Sequence, residues 1–178
     1  MNKLIYGLFF SAATLIPNTA SSVEGITTTE TLIRVDYRKY KLVDSIKIRG
    51  DNGNTLFITK LDHGVIGTLI AKHPLKHGQP DPVDKKRALD WGYVPVWVGY
   101  DNNELVPKYW YALDTDTNVL TFSGNKQIPE FIENLKKGKS LNIAYVHDGE
   151  AHYERFNLSG FTKLYDSLKV ESSYLDED

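Results

Sequence analysis

The chain has no cysteine among its 178 residues. That excludes disulfides, thiolate metal ligands and a cysteine nucleophile, so burial and hydrogen bonding must carry the stability alone. It has a single methionine, Met1, which rules out a flexible Met-lined binding groove. It lacks an excess of either charge: 21 Lys and Arg stand against 23 Asp and Glu, for a net charge of −2. The basic face of a nucleic-acid binder is therefore missing. After Ile16 there is no apolar run long enough to span a bilayer. The common nucleophile and zinc-hydrolase signatures, G-x-S-x-G and H-E-x-x-H, are absent as well.

What is present begins with an export signal. Lys3 precedes the apolar run Leu4–Ile16, Pro17 breaks it, and small residues follow at Thr19, Ala20, Ser21 and Ser22. This reads as a secretory signal peptide over residues 1–22, cleaved after Ala20 or Ser22, with a single domain over 23–178. No cysteine follows to accept a lipid. The expected location is the periplasm or the medium.

Alternation and turn residues divide the mature chain. Ser21–Glu30 reads as a flexible lead-in and Thr31–Val35 as a first short strand. Tyr40–Arg49, Thr55–Leu61 and Val65–Ala71 follow as an antiparallel meander, separated by Asp51–Asn54 and Asp62–Gly64. His73–Ala88 holds Pro74, Pro80, Pro82 and Gly78. It reads as a long surface loop, with a short helix predicted over Val83–Leu89. Val94–Tyr100 and Tyr109–Leu113 are the next strands, Pro95 arguing for an edge position or a strand start. Asp114–Asn118 reads as a turn and Val119–Phe122 as a short strand.

The clearest signals come late. Pro129–Lys137 predicts a helix with Phe131, Ile132 and Leu135 on one face, Gly138 behind it and Lys136 and Lys137 at its negative end. Ser140–His147 predicts a strand with Leu141, Ile143 and Tyr145 pointing one way. Asp148-Gly149 is a strong hairpin signal, returning Glu150–Leu158. Ser159 is placed to cap a last helix carrying Phe161, Leu164, Tyr165 and Leu168. The predicted fold is mainly β, a β-sandwich or partly open antiparallel barrel, with two or three short helices mostly late in the chain.

The run IPEFIENLKKGKSLNIAYVHDGEAHYERFNLSGFTKLYDSL resembles the C-terminal part of two bacterial envelope families. They are the TagO-like accessory proteins of type VI secretion and the invasion-associated locus B proteins. The matching residues are Leu135, Gly138, Leu141, Ile143, Tyr145, Phe156, Leu158, Ser159, Gly160, Phe161, Tyr165 and Leu168. The TagO-like layout extends back through VPVWVGYDNNELVPKYWY, Val94–Tyr111. The resemblance implies a β-sandwich and an accessory or envelope role, and it transfers no catalytic residue.

Candidate chemistry is thin. His73 and His77 have metal-like spacing, but Pro74 and Gly78 oppose a helix there, and two ligands do not complete a zinc site. His147 and His152 flank the hairpin turn and read as solvated imidazoles. Asp114, Asp116 and Asn118 imitate the start of a calcium loop, yet the sixth position is Val119 rather than glycine. No metal or cofactor is expected. Asp101 and Glu104 can be drawn as acid and base, but turn carboxylates are usually just solvated.

The aromatics are more suggestive. Trp91, Tyr93, Trp97, Tyr100, Tyr109, Trp110 and Tyr111 crowd one third of the chain. On Val94–Tyr100 one face holds the valines and the other Tyr93, Pro95 and Trp97. The valine face is the natural core; the face with Tyr93 and Trp97 is either covered by the late helices, as buried aromatics usually are, or left as a candidate surface. The expected function is an exported, non-enzymatic binding or accessory protein, and the TagO-like resemblance implies a place beside a type VI secretion system. Its partner would be another envelope or secreted protein, with self-association open. The candidate binding residues are Tyr93, Trp97, Trp110, His73 and His77. The alternative is an immunity or inhibitor protein that inserts His73–Ala88 into a cell-wall hydrolase. A carboxylate-based hydrolase finds no support in these residues.

Overall fold

The computed structural model describes residues 25–36, 39–76, 92–112, 116–122, 127–170 and 172. The signal-peptide region, His77 and the helix expected at Val83–Leu89 lie outside them. Among the described residues no helix is long and apolar enough to cross a membrane.

The early meander forms as four antiparallel strands: β1 (Ile26–Asp36), β2 (Lys39–Arg49), β3 (Thr55–Leu61) and β4 (Gly64–Lys76). β1 starts inside the stretch read as a flexible lead-in. Ile26 pairs with Ile48 and is fully buried, so this stretch belongs to the core. Its threonines are β-branched and suit a strand, but alone they show no apolar alternation. β4 runs past Ala71, where a loop was expected, and reaches Lys76 by pairing with β7 (Asp116–Phe122). That pairing also makes Asp116–Asn118 strand rather than turn.

β5 (Gly92–Tyr100) and β6 (Val106–Ala112) precede β7 as a second meander. α1 (Gln127–Lys137) then leads to the hairpin of β8 (Ser140–His147) and β9 (Glu150–Asn157), and α2 (Phe161–Ser167) follows. The strand order is β1-β2-β3-β4-β7-β6-β5-β8-β9. At the end of β2, Gly50 bridges Phe156 of β9, so the sheet curls into a partly open antiparallel barrel. Two helices, both late, complete the described fold. The mainly β expectation holds.

Alternation explains the core. Ile46, Ile48, Leu56, Ile58, Leu69, Val94, Val96, Val98, Leu141, Ile143 and Phe156 face inward, each at most 2% exposed. Fully burying one such side chain contributes roughly 1.5–3 kcal/mol. α1 adds Ile128, Ile132 and Leu135. Its Phe131 stands edge-on to Phe122 at 4.6 Å, and Phe122 stacks on Trp110 at 4.4 Å. Pro95 lies in a strand inside the sheet order, yet at a position paired on one side only. β8 pairs with β5 only from Trp97 onward, so the missing N–H of Pro95 falls where β5 has one neighbour.

The hairpin turn forms as expected, with Asp148 at φ 49° and Gly149 at φ 83°. Ser159 does not cap α2. Gly160 occupies the N-cap at φ 87°, a conformation that glycine adopts without a Cβ clash.

Candidate functional site

The barrel's outer face over β6, β5, β8 and β9 is built by register. Val94, Val96 and Val98 turn inward, so Pro95 and Trp97 point outward. Trp97 pairs with Pro107 on one side and Ala144 on the other, and Ala144 pairs with Tyr153. One cross-strand row therefore reads Pro107, Trp97, Ala144, Tyr153. In the neighbouring row Pro95 pairs with Tyr109. Trp97 is half-buried, Tyr109 is 44% exposed and Tyr153 is 64% exposed. Val146 on β8 adds a further exposed apolar group.

Tyr153 also borders an open groove of about 420 Å³ lined by Asn52, Asn102, Asn103, Asn142 and Arg155. Two carboxylates fix its walls. Asp101 turns the chain at φ 54° and accepts the N–H groups of Lys139 at 2.7 Å and Ser140 at 2.9 Å. Those two backbone donors hold its carboxyl below the usual carboxylate range. The Asn142 amide closes the clamp by donating to the Asp101 carbonyl. On the opposite wall the buried Glu154 accepts the N–H groups of Asn52 and Asn54, while Asn52 Nδ2 donates to the Tyr153 carbonyl. Asp101 is thus committed to backbone amides. The groove offers amide donors and acceptors, a guanidinium and a phenol beside an apolar strip.

The remaining sequence candidates separate. Trp110 is 3% exposed and stacked in the core, so it offers no surface. The side chain of Tyr93 and all of His77 lie outside the described residues. His73 sits in an irregular part of β4, where the pairing with β7 skips from Ile70 to Leu75. That irregularity brings its ring 5.4 Å from His147 and 4.8 Å from His152, which are themselves 5.8 Å apart. The sequence reading missed this trio. The offset of His147 and His152 about the hairpin was visible, but the approach of β4 was not. Among the described residues no three His, Asp or Glu side chains are arranged to hold a metal ion.

Comparison of the chain with family models, with curated proteins and with solved structures finds no match.

Proposed function

We propose that this chain is an exported, non-enzymatic binding protein of the bacterial envelope. It docks another envelope or secreted protein on the Trp97–Tyr153 face. The observation that supports this most is the row Pro107, Trp97, Ala144, Tyr153, an apolar strip on the sheet beside an amide-lined groove. Such a surface has the parts of a protein interface: aromatic anchors, an arginine, and a polar rim that pairs with main-chain groups. The TagO-like resemblance supplies the setting, an accessory role around a type VI secretion apparatus. The locus B resemblance implies a broader envelope role.

A pull-down from envelope extract of the native host tests this, with thermal unfolding measured on the same proteins. Trp97→Ala and Tyr153→Ala should each weaken capture by on the order of 2 kcal/mol or more, with melting temperatures shifted by only a few degrees. Trp110→Ala, a core truncation, should instead cost about 3–5 kcal/mol of stability. Capture by Trp97→Ala and Tyr153→Ala equal to that of the wild type would refute the assignment.

A further inference from the structure

The seam that closes the barrel is narrow. Apart from the Gly50–Phe156 bridge, its polar contacts among the described residues are the Asp51 N–H to Arg155 carbonyl bond at 3.0 Å, the two amides given to Glu154, and the Asn52–Tyr153 contact. Beside it, β4 meets the β8–β9 hairpin through Asn54. The Asn54 Oδ1 accepts the Lys72 N–H at 2.7 Å, and its side chain meets the Tyr145 hydroxyl at 3.3 Å. His152 stacks on Tyr145 at 5.4 Å and continues to His73 and His147. One side of the seam therefore supplies His73, and the hairpin supplies the other two imidazoles.

Two of these rings are incompletely paired. His147 Nδ1 and His152 Nε2 are buried without a protein hydrogen-bond partner. A metal ion or a proton would engage such nitrogens, and the rings are not arranged for a metal. We propose that His73, His147 and His152 form a pH-sensitive latch across the seam. The packed rings hold it shut at neutral pH, and a proton taken up by His73 in a mildly acidic medium places a charge among them and opens it.

Among the described residues, the charged and titratable groups around the latch are Lys72 on β4, Tyr145 on β8, Asp148 in the hairpin turn, Glu150 opposite His147 in register, and Glu154 two residues beyond His152. Asp148 lies 3.4 Å from His147 Nε2, while Glu154 is occupied by backbone amides. Burial lowers the pKa of His73 from 6.5, and His152, His147 and Lys72 push the same way. A base with a lowered folded pKa binds fewer protons folded than open. Its contribution is complete above about pH 6.5 and is lost as the pH falls from there toward the folded value.

The test is backbone hydrogen exchange on the full mature chain at about pH 7.5 and about pH 5.5, either side of the ordinary histidine range, corrected for intrinsic rates. The reporters are the amides of Asp51, Asn52, Asn54 and Lys72, which bond across the seam or to Asn54. Their protection should fall on acidification, by up to about tenfold for one imidazole of ordinary unfolded pKa over this interval. The β5–β6 ladder should stay protected, and the acid response should shrink in both His73→Gln and His152→Gln. An undiminished response in both variants, or equal loss across β5–β6, would overturn the latch. So would zinc chloride protecting these amides at neutral pH in the wild type but not in His73→Gln, because the trio would then be a metal site.

Discussion

Gly67 shows how tightly single residues are fixed. A Cβ there would come within 1.8 Å of the Phe122 ring. Phe122 cannot retreat, because Trp110 stacks on it at 4.4 Å and Phe131 stands 4.6 Å away. Gly67→Ala should therefore destabilise the fold by about 1–3 kcal/mol, the usual cost of overpacking. Combining it with Phe122→Ala should cost less than the sum of the two, because the second change removes the obstacle. Additive losses in denaturant unfolding would show that the glycine serves some other purpose. At this scale the sequence was partly legible. Strand alternation assigned Val94, Val96 and Val98 to the core and turned Trp97 outward. The same alternation did not show that Trp110 was buried, since that depends on α1 delivering Phe131.

Among the elements, the β5–β6 turn is held to the start of β8 by Asp101. Asp101→Asn keeps a residue that tolerates positive φ but removes the charge that the Lys139 and Ser140 amides meet. The wild-type carboxyl has a pKa lowered from 3.8. Its stabilising effect is present above that value and is lost as the pH falls through the lower folded one. Melting temperatures of wild type and Asp101→Asn should therefore differ at neutral pH and converge in strong acid. A gap that stays constant to the acid limit would contradict the clamp. The elements that were legible carried two independent local signals. The β8–β9 hairpin had alternation on β8 and an Asp-Gly turn, and β3 lay between two glycine-containing turns, Asp51–Asn54 and Asp62–Gly64. Those that were misread depend on distant partners. β4 continues through Pro74 only because β7 pairs beyond the irregularity, and β1 begins early only because β2 lies alongside. The candidate site followed the same rule. Trp97 was legible from its own strand, whereas Tyr153 and the histidine trio needed β8 and β9 to be placed beside β5 and near β4.

For the whole molecule, Glu154 is the carboxylate that joins β9, at one end of the sheet, to the turn between β2 and β3. Glu154→Gln leaves the shape but weakens the acceptor shared by Asn52 and Asn54, and charged hydrogen bonds of this kind contribute about 1.5–3 kcal/mol. The Asn54–Glu154 bond spans 100 residues of chain, whereas the β8–β9 hairpin closes over Asp148-Gly149. Closing so long a loop costs entropy before any contact rewards it, so the seam belongs to the late part of folding. Glu154→Gln should then speed unfolding and leave the refolding rate nearly unchanged in stopped-flow experiments. An equal slowing of refolding would place the seam in the nucleus instead. Until that seam forms, the outer edge of β9 is a row of unpaired main-chain groups facing open water, a template for the same strand of a second molecule. The Gly50–Phe156 bridge therefore matters during synthesis as well as in the finished protein. A chain slow to make it is a chain exposed to strand exchange, and the yield of monomer should depend on how quickly that last contact is made.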